Sequence, residues 1–559
     1  MQSDRAMLAQ VWWMAVGLAT ACGGDRAQRM SSARTTEVAG AYAADGGSPT
    51  DSAASEAGAS PTEDADASQG GEHEDDATAG GGGHPSESAG VSGSEGAAGA
   101  AGAAGGTPSA HGGDPGASAG SPATGGSGPS ADAGVMEPVN AGHVIAEPED
   151  DARYVFDQSS LRTYNISVAE ADLALIDMDP AAETFVNATL DFEGKTIGPV
   201  SVRYKGSVGG FLPPCTGAAP APAGDPAAPM SRSRPKTGKC SIKVDFNRVD
   251  PELRFYGLKK LNFHSMDRDK SLMRDRLGYS MFRESGVAAP RATHARLLIN
   301  GKLEGLYVVV EQIDGRFTDS HFSDGGDGNL YKEVWPVSDA PEPYLAALET
   351  NNDMPEAMQV ARMQSFHAAI SAGADASFRW LDTPYLFNYI AVDRVIANDD
   401  GAFHWYCQWN HNYYWYEAER ADRMWIIPWD LDSSFQNGAF VHINTPWNAA
   451  TPGMDCTCGR AGGQRPASCD PLTSHWASRT EDYQRAVDSF LAGPFSDANV
   501  SAKLLAWTQQ VDAAVQEAAG VQGAPSYAEW QEAFANLQAI IASSRVHRGY
   551  AYEMPVMMP

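Results

Sequence analysis

From residue 151 onward the chain changes its hydrophobic period in a set order. Residues 161–176 read as a strand followed by a turn or helix. Residues 189–192 and 200–204 read as strands, with Gly194 marking the turn between them. Ser241-Ile242-Lys243-Val244-Asp245-Phe246 alternates, which places Lys243 on the face opposite Ile242 and Val244. Over residues 269–285 the period lengthens: Leu272, Met273, Leu277, Met281 and Phe282 recur at helical spacing, and Gly286 ends the run. Two apolar runs, 295–299 and 305–310, then flank Asn300-Gly301, a strong hairpin signal. Glu311-Gln312-Ile313 leads out of this region. From about residue 355 helical patterns dominate, and 480–546 reads as several amphipathic helices. The pattern predicts an α+β fold with a β-rich part over about 151–313 and a mainly helical part over about 314–559.

Composition separates this part from what precedes it. Among the 559 residues, no Phe, Trp or Tyr lies between Tyr42 and Tyr154, and no Lys or Arg between Arg34 and Arg153. Such a Gly-, Ala-, Ser- and Pro-rich segment buries too little apolar surface to offset its ordering entropy, so residues 23–150 are predicted to be a disordered linker. The apolar run 7–21 is shorter than the ~20 residues of a membrane span and fits the apolar stretch of an export signal. Ala19-Thr20-Ala21-Cys22 is similar to a bacterial lipobox, which makes 1–22 a signal peptide and Cys22 a lipidated anchor. An exported, membrane-anchored or surface location is therefore expected, with the linker as tether. The net charge of −31 argues against nucleic acid as a partner, because phosphate backbones need a basic face. It also makes any nucleotide site depend on a divalent cation and on local Lys or Arg.

Six cysteines follow Cys22: Cys215, Cys240, Cys407, Cys456, Cys458 and Cys469. An even number in an exported chain suggests disulfides. Cys215–Cys240 is the favoured pair, closing a Pro-rich insertion. The other four are expected to pair among themselves. Cys456-Thr457-Cys458 is spaced too closely for a structural zinc site.

The most informative stretch is 398–435. It opens with Asn398-Asp399-Asp400-Gly401, passes through an aromatic run containing His411-Asn412-Tyr413-Tyr414-Trp415-Tyr416, and closes on Pro428-Trp429-Asp430-Leu431-Asp432. Phosphoryl-transfer enzymes need one carboxylate to accept a hydroxyl proton, and an Asn with a second carboxylate to hold Mg²⁺ on ATP phosphates. Asp430 is the expected metal ligand. Asp432, two residues on, is a second, and Asn412 completes the set. His404 and His411 read as partly buried strand residues, and the aromatics beside them as core.

The parts occur in kinase order: strand, glycine-rich Lys205-Gly206-Ser207-Val208-Gly209-Gly210, strand with Lys243, helix, hairpin, connector, helices, then the carboxylate motifs. Lys243 is the expected phosphate-binding lysine, with Lys205, Arg203 and Lys239 as rivals. Asp275 is placed to pair with Lys243, and Arg274 to reach phosphate directly. Glu311 falls where a hinge backbone would meet adenine; Lys332 is a further basic candidate.

Val202-Arg203-Tyr204-Lys205-Gly206, Ser271-Leu272-Met273-Arg274-Asp275-Arg276-Leu277-Gly278-Tyr279, Gly305-Leu306-Tyr307-Val308-Val309-Val310-Glu311, Asn329-Leu330-Tyr331-Lys332 and Pro428-Trp429-Asp430-Leu431-Asp432 together resemble the CotH (spore coat protein H) kinase family. The resemblance covers about residues 155–440 and extends into the helical tail. It implies a divergent bilobal kinase-like fold over 151–559, ATP with Mg²⁺ or Mn²⁺ as cofactors, and transfer to Ser or Thr of secreted or coat proteins. It also implies that Asp400, in an Asn-x-Asp-Gly pattern counted from Asn398, is the catalytic base, with Asp399 as its rival. The chain departs from the family in the Cys-bounded insertion after the glycine loop and in extra residues between Gly401 and Asn412. A surface-binding or coat protein on an inactive scaffold of this kind is the competing expectation.

Overall fold

The computed structural model describes residues 144–206, 215, 235–323, 326–398, 400–403, 411–418, 423–435, 447 and 467–547. The expected signal peptide and almost all of the expected linker lie outside these residues, as do Asp399, His404, Cys407, Cys456, Cys458 and the glycine loop after Gly206.

Ten strands and eleven α-helices organise the described chain. The β-rich half holds β1 (Arg162–Val168), α1 (Glu170–Met178), β2 (Val186–Phe192), β3 (Lys195–Lys205), β4 (Ser241–Asp245), β5 (Lys260–His264), α2 (Arg274–Glu284), β6 (Ala292–Ile299) and β7 (Lys302–Glu311). There follow α3 (Gly315–His321), β8 (Asn329–Lys332), α4 (Glu342–Leu345), α5 (Glu356–Ala372), α6 (Ala374–Phe378), α7 (Thr383–Val395), β9 (Tyr413–Ala418) and β10 (Arg423–Pro428). The tail is α8 (Pro471–Ala477), α9 (Thr480–Ala492), α10 (Asp497–Ala518) and α11 (Tyr527–His547). The α+β expectation agrees with this order. No helix among the described residues is long and apolar enough to cross a membrane.

The first seven strands close into a barrel in the order β1-β2-β3-β4-β5-β7-β6. A kinase N-lobe is an open sheet, and this is where the arrangement departs from the kinase-like expectation. Closure follows from β1 pairing parallel to β6 (Arg162↔Ala295 to Ile166↔Ile299), which leaves no edge on either side. Strand alternation sends Tyr164, Leu190, Val202, Tyr204, Ile242, Val244, Leu261, Phe263 and Val309 into the barrel core. The residues between them, Arg203, Lys205, Lys243, Asn262 and His264, therefore lie on its outer face.

Two elements differ from the pattern reading. β5 was not expected: its five residues are too few to show a clear period. Helix α2 starts at Arg274 rather than at 269. The Asp269 carboxylate accepts the N–H groups of Ser271, Met273 and Arg274 (2.9, 2.8 and 2.8 Å), so the side chain satisfies donors that a further turn of helix would have used. Cys215 and Cys240 form the expected disulfide. Cys469 is also disulfide-bonded.

A second sheet, β10-β9-β8, is packed against the helices. β9 and β10 run antiparallel from Arg423↔Ala418 to Pro428↔Tyr413. Every residue of β9 is buried, including Trp415 and Tyr416, so its aromatics are core, as expected.

Candidate functional site

The carboxylate motifs converge where three elements meet: the C-terminal end of α7, the start of β9 with the end of β10, and the N-terminal half of α2. Helix α7 is capped by Ile396, whose carbonyl accepts the Phe435 N–H at 2.6 Å. That bond ties the loop after β10 to the loop carrying Asp400. Pairing of β9 with β10 then sets Asn412 beside Trp429, whose N–H donates to the Asn412 carbonyl at 3.0 Å. Residues separated by a long aromatic excursion in sequence are neighbours for this reason.

Within the cluster, Asn412 Nδ2 donates to Asp400 Oδ2 and to its backbone carbonyl, both at 3.1 Å. The Asn412 N–H donates to Glu333 Oε1 at 3.1 Å, and His411 Nδ1 lies 3.1 Å from Glu333 Oε2. Asn412 and Asp430 have φ of 54° and 48°, in the left-handed region. Such strained backbone persists where surrounding contacts fix it. Here the Asp430 N–H donates to the Tyr279 hydroxyl oxygen at 2.9 Å, and the Leu431 N–H to Asp275 Oδ1 at 3.0 Å. Asp275, Gly278 and Tyr279 share one face of α2, and that face receives the Asp430–Leu431 turn. Gly278 permits the approach: a Cβ there would lie 2.9 Å from Leu431 Cδ1.

The electrostatics are those of crowded carboxylates. Burial pushes the Asp400 carboxyl above the usual range; His411 and Arg268 oppose this and Asp430 adds to it. Burial, then Asp430 and Asp275, raise Asp432 well above its ordinary value. Burial pulls the His411 imidazole down, but its bond to Glu333 and the nearby Asp400 and Asp430 lift it to about 9. Several negative groups raising one another's affinity for protons are also groups that a divalent cation would stabilise. The donor set, carboxylates and an amide, is the hard oxygen chemistry that suits Mg²⁺ or Mn²⁺.

The tightest metal-like grouping among the described residues is not the expected one. It is His264, Asp275 and Asp430, each offering a ligand atom within 4.8 Å of the others. Asp430 belongs to both sets. His264 was missed because β5 was missed; its sign in the sequence is its place at the end of a short alternating run, Lys260–His264.

The basic candidates divide. Lys205 closes β3, and its Nζ lies 3.1 Å from His264 Nε2 and 5.0 Å from the Trp429 ring centroid. Gly206 follows it with φ 102°. Lys243 is buried on β4, between Arg203 on β3 and Asn262 on β5. Asp275, expected to pair with Lys243, has its Oδ2 3.1 Å from His264 Nδ1. Arg274 Nη1 donates to the Asp432 carbonyl at 3.4 Å, which braces the turn. Lys239 is buried, its Nζ donating to the Ser265 and Leu306 carbonyls (2.8 and 2.6 Å), and burial lowers it to about 7. Lys332 pairs in register with Tyr414 on β9.

Glu311 lies in a different network. Its N–H donates to the Arg291 carbonyl at 2.9 Å, and its carboxylate meets Arg291 at 2.6 Å and Arg316 at 2.5 Å. Against the upward push of burial, Arg291 and its neighbours hold that carboxyl far below the usual range. Its side chain thus serves the junction between β7 and α3.

Residues 202–546 match a protein-family model described as CotH kinase protein. A stretch of 217 residues is 24% identical to the inner spore coat protein H of Bacillus subtilis (strain 168), covering 35% of this chain and 57% of that relative.

Proposed function

The chain belongs to the CotH kinase family, and on that premise we propose that it is an atypical protein kinase that transfers the γ-phosphoryl group of ATP to Ser or Thr hydroxyls. The observation that carries this reading is the convergence of Asp400, Asn412, Asp430 and Asp432 from separate loops, with Asn412 Nδ2 bonded to Asp400 at 3.1 Å. In this reading Asp400 orients the acceptor hydroxyl and takes its proton; its raised proton affinity suits that role at neutral pH. Asp430, Asp432 and Asn412 would hold Mg²⁺ or Mn²⁺, which when bound neutralises phosphate charge. Lys205, Arg274 and Lys243 are the cations proposed for the phosphates, with Gly206 opening the loop that covers them and the Glu311 backbone at the adenine side. The kinase-like reading of the fold rests on the family and on the order of these parts.

The substrate is proposed to be a secreted or coat protein, in keeping with a relative whose name places it in the inner spore coat. Export through residues 1–22 and a lipid anchor at Cys22 belong to the same proposal. A second reading, a coat or surface-binding protein on an inactive scaffold, is favoured by the closed barrel where a kinase has an open sheet.

Incubation of the full chain with γ-labelled ATP, Mg²⁺ or Mn²⁺ and spore-coat or secreted protein extracts tests the two. Label on Ser or Thr that disappears in Asp400→Ala and in Asp430→Ala, both still folded by circular dichroism, is the expected result. Full transfer by both variants would refute the assignment of the site. A wild type that shows no thermal shift with any nucleotide and metal would favour the binding module.

A further inference from the structure

Asp275, His264 and Lys205 make a bonded chain that runs from helix α2 to the end of β3. On the outer face of the barrel, the register of β3 with β4 pairs Lys205 with Ser241, and β4 with β5 pairs Ile242 with Phe263. One step along, this register sets Lys205, Ser241 and His264 in one row. Lys205 Nζ reaches across that row to His264 Nε2 at 3.1 Å. His264 Nδ1 lies 3.1 Å from Asp275 Oδ2, and the other Asp275 oxygen accepts the Leu431 N–H at 3.0 Å. Trp429 backs the array, edge-on to the imidazole at 5.6 Å and beneath Lys205 Nζ at 5.0 Å. His264 is 5% and Asp275 1% exposed, so water does not compete for these bonds.

The donors and acceptors settle the state of the ring. An ionised carboxylate only accepts, so Nδ1 carries the hydrogen. An ammonium only donates, so Nε2 presents its lone pair. A neutral Nδ1–H imidazole satisfies both partners; an imidazolium would set a second positive charge against the lysine. Both ring nitrogens are then committed, which leaves His264 itself no lone pair for a cation.

We propose that His264 is a positioning residue, which transmits the hold of Asp275 to Lys205 and aims its ammonium at nucleotide phosphates. The imidazole fixes the place of that ammonium, which matters in a chain of net charge −31 beside several carboxylates. The geometry stands by itself; its use for phosphates rests on the kinase reading.

The test uses the full chain and His264→Leu, His264→Gln and Asp275→Asn. Long-range ¹H–¹⁵N spectra of histidine-labelled protein need no nucleotide. They are expected to show His264 as the Nδ1–H tautomer, with its Nδ1 resonance displaced in Asp275→Asn, where the carboxylate acceptor is lost. A wild-type Nε2–H tautomer or an imidazolium at pH 8 overturns the proposal. The Kd for ATP–Mg²⁺ is expected to rise at least tenfold in His264→Leu. It should return to within threefold of wild type in His264→Gln, whose amide can donate to Asp275 and accept from Lys205. Equal affinity in all variants overturns the relay. So does a tenfold loss of Mn²⁺ affinity, measured without nucleotide, in both His264 variants, since that would make His264 a metal ligand. If the wild type binds no nucleotide, the kinase reading falls while the tautomer still decides the relay.

Discussion

Replacing Gly278 with Ala tests whether α2 fixes the Asp430–Asp432 turn. A Cβ at 278 would stand 2.9 Å from Leu431 Cδ1, 3.1 Å from Leu431 Cβ and 3.4 Å from Ser434 Oγ. Carbon atoms settle at ~3.5–4.0 Å, so the turn would have to retreat by roughly half an ångström. Retreat is opposed on every side. Leu431 is fully buried, its N–H is held by Asp275, and its carbonyl accepts from Ser434 Oγ at 2.7 Å. The next residue is tied to Ile396 by the Phe435 N–H. Overpacking of this kind costs about 1–3 kcal/mol. Removing a glycine from a helix interior returns about 1 kcal/mol. The net expectation is destabilisation of up to ~2 kcal/mol, a modest effect on folding. Function should suffer more, because a 1 Å misplacement at a reacting site can cost on the order of a hundredfold. Urea unfolding followed by tryptophan fluorescence gives the first quantity, and titration with ATP–Mg²⁺ the second. A variant about 1 kcal/mol more stable than wild type, with unchanged nucleotide affinity, would show that only helix propensity was altered and that the turn is not held as described.

The remaining predictions concern buried charge. Burial raises the Asp393 carboxyl to about 7, against the push of Asn398 and Arg394. A group that titrates higher in the folded chain adds stability below its unfolded pKa and loses it as pH climbs through the folded one. Stability should therefore fall between about pH 4 and pH 7 by at most ~4 kcal/mol from this group. Asp393→Asn keeps the oxygen that accepts Asn398 Nδ2 at 2.8 Å and should flatten that slope; an unchanged slope in urea titrations across this range would assign it to other groups. Glu311→Gln leaves Arg291, 3% exposed, short of its counter-charge and should destabilise by ~3–5 kcal/mol; a loss under ~1 kcal/mol by urea unfolding would mean that water or Asp150 replaces the lost charge.

Much of this was legible in the chain. The hairpin at Asn300-Gly301 is found as read, because two residues of special backbone preference leave few alternatives. The Cys215–Cys240 pair was legible because an even cysteine count and a bounded insertion left few alternatives. The carboxylates at 400, 430 and 432 stood out because apolar runs on both sides announce strand and helix ends. Less legible were short or capped elements. β5 is too brief for its period to register, and Asp269 looked like the first residue of a helix when it is a cap.

The partners of each charge could not be read from the order of residues. Asp275 is expected beside a lysine of the barrel, yet strand register also brings His264 to it, and Lys205 to the far side of that imidazole. Glu311 sits at a connector in sequence, yet its side chain is enclosed by Arg291 and Arg316. Local period and chemistry were enough to read a mixed α+β chain and to single out candidate residue types, since both depend on near neighbours in the chain. The tertiary structure decided that the first seven strands close into a barrel and that His264 stands between Asp275 and Lys205. Those depend on pairings between strands far apart in the chain, where a shift of one residue turns every side chain to the other face.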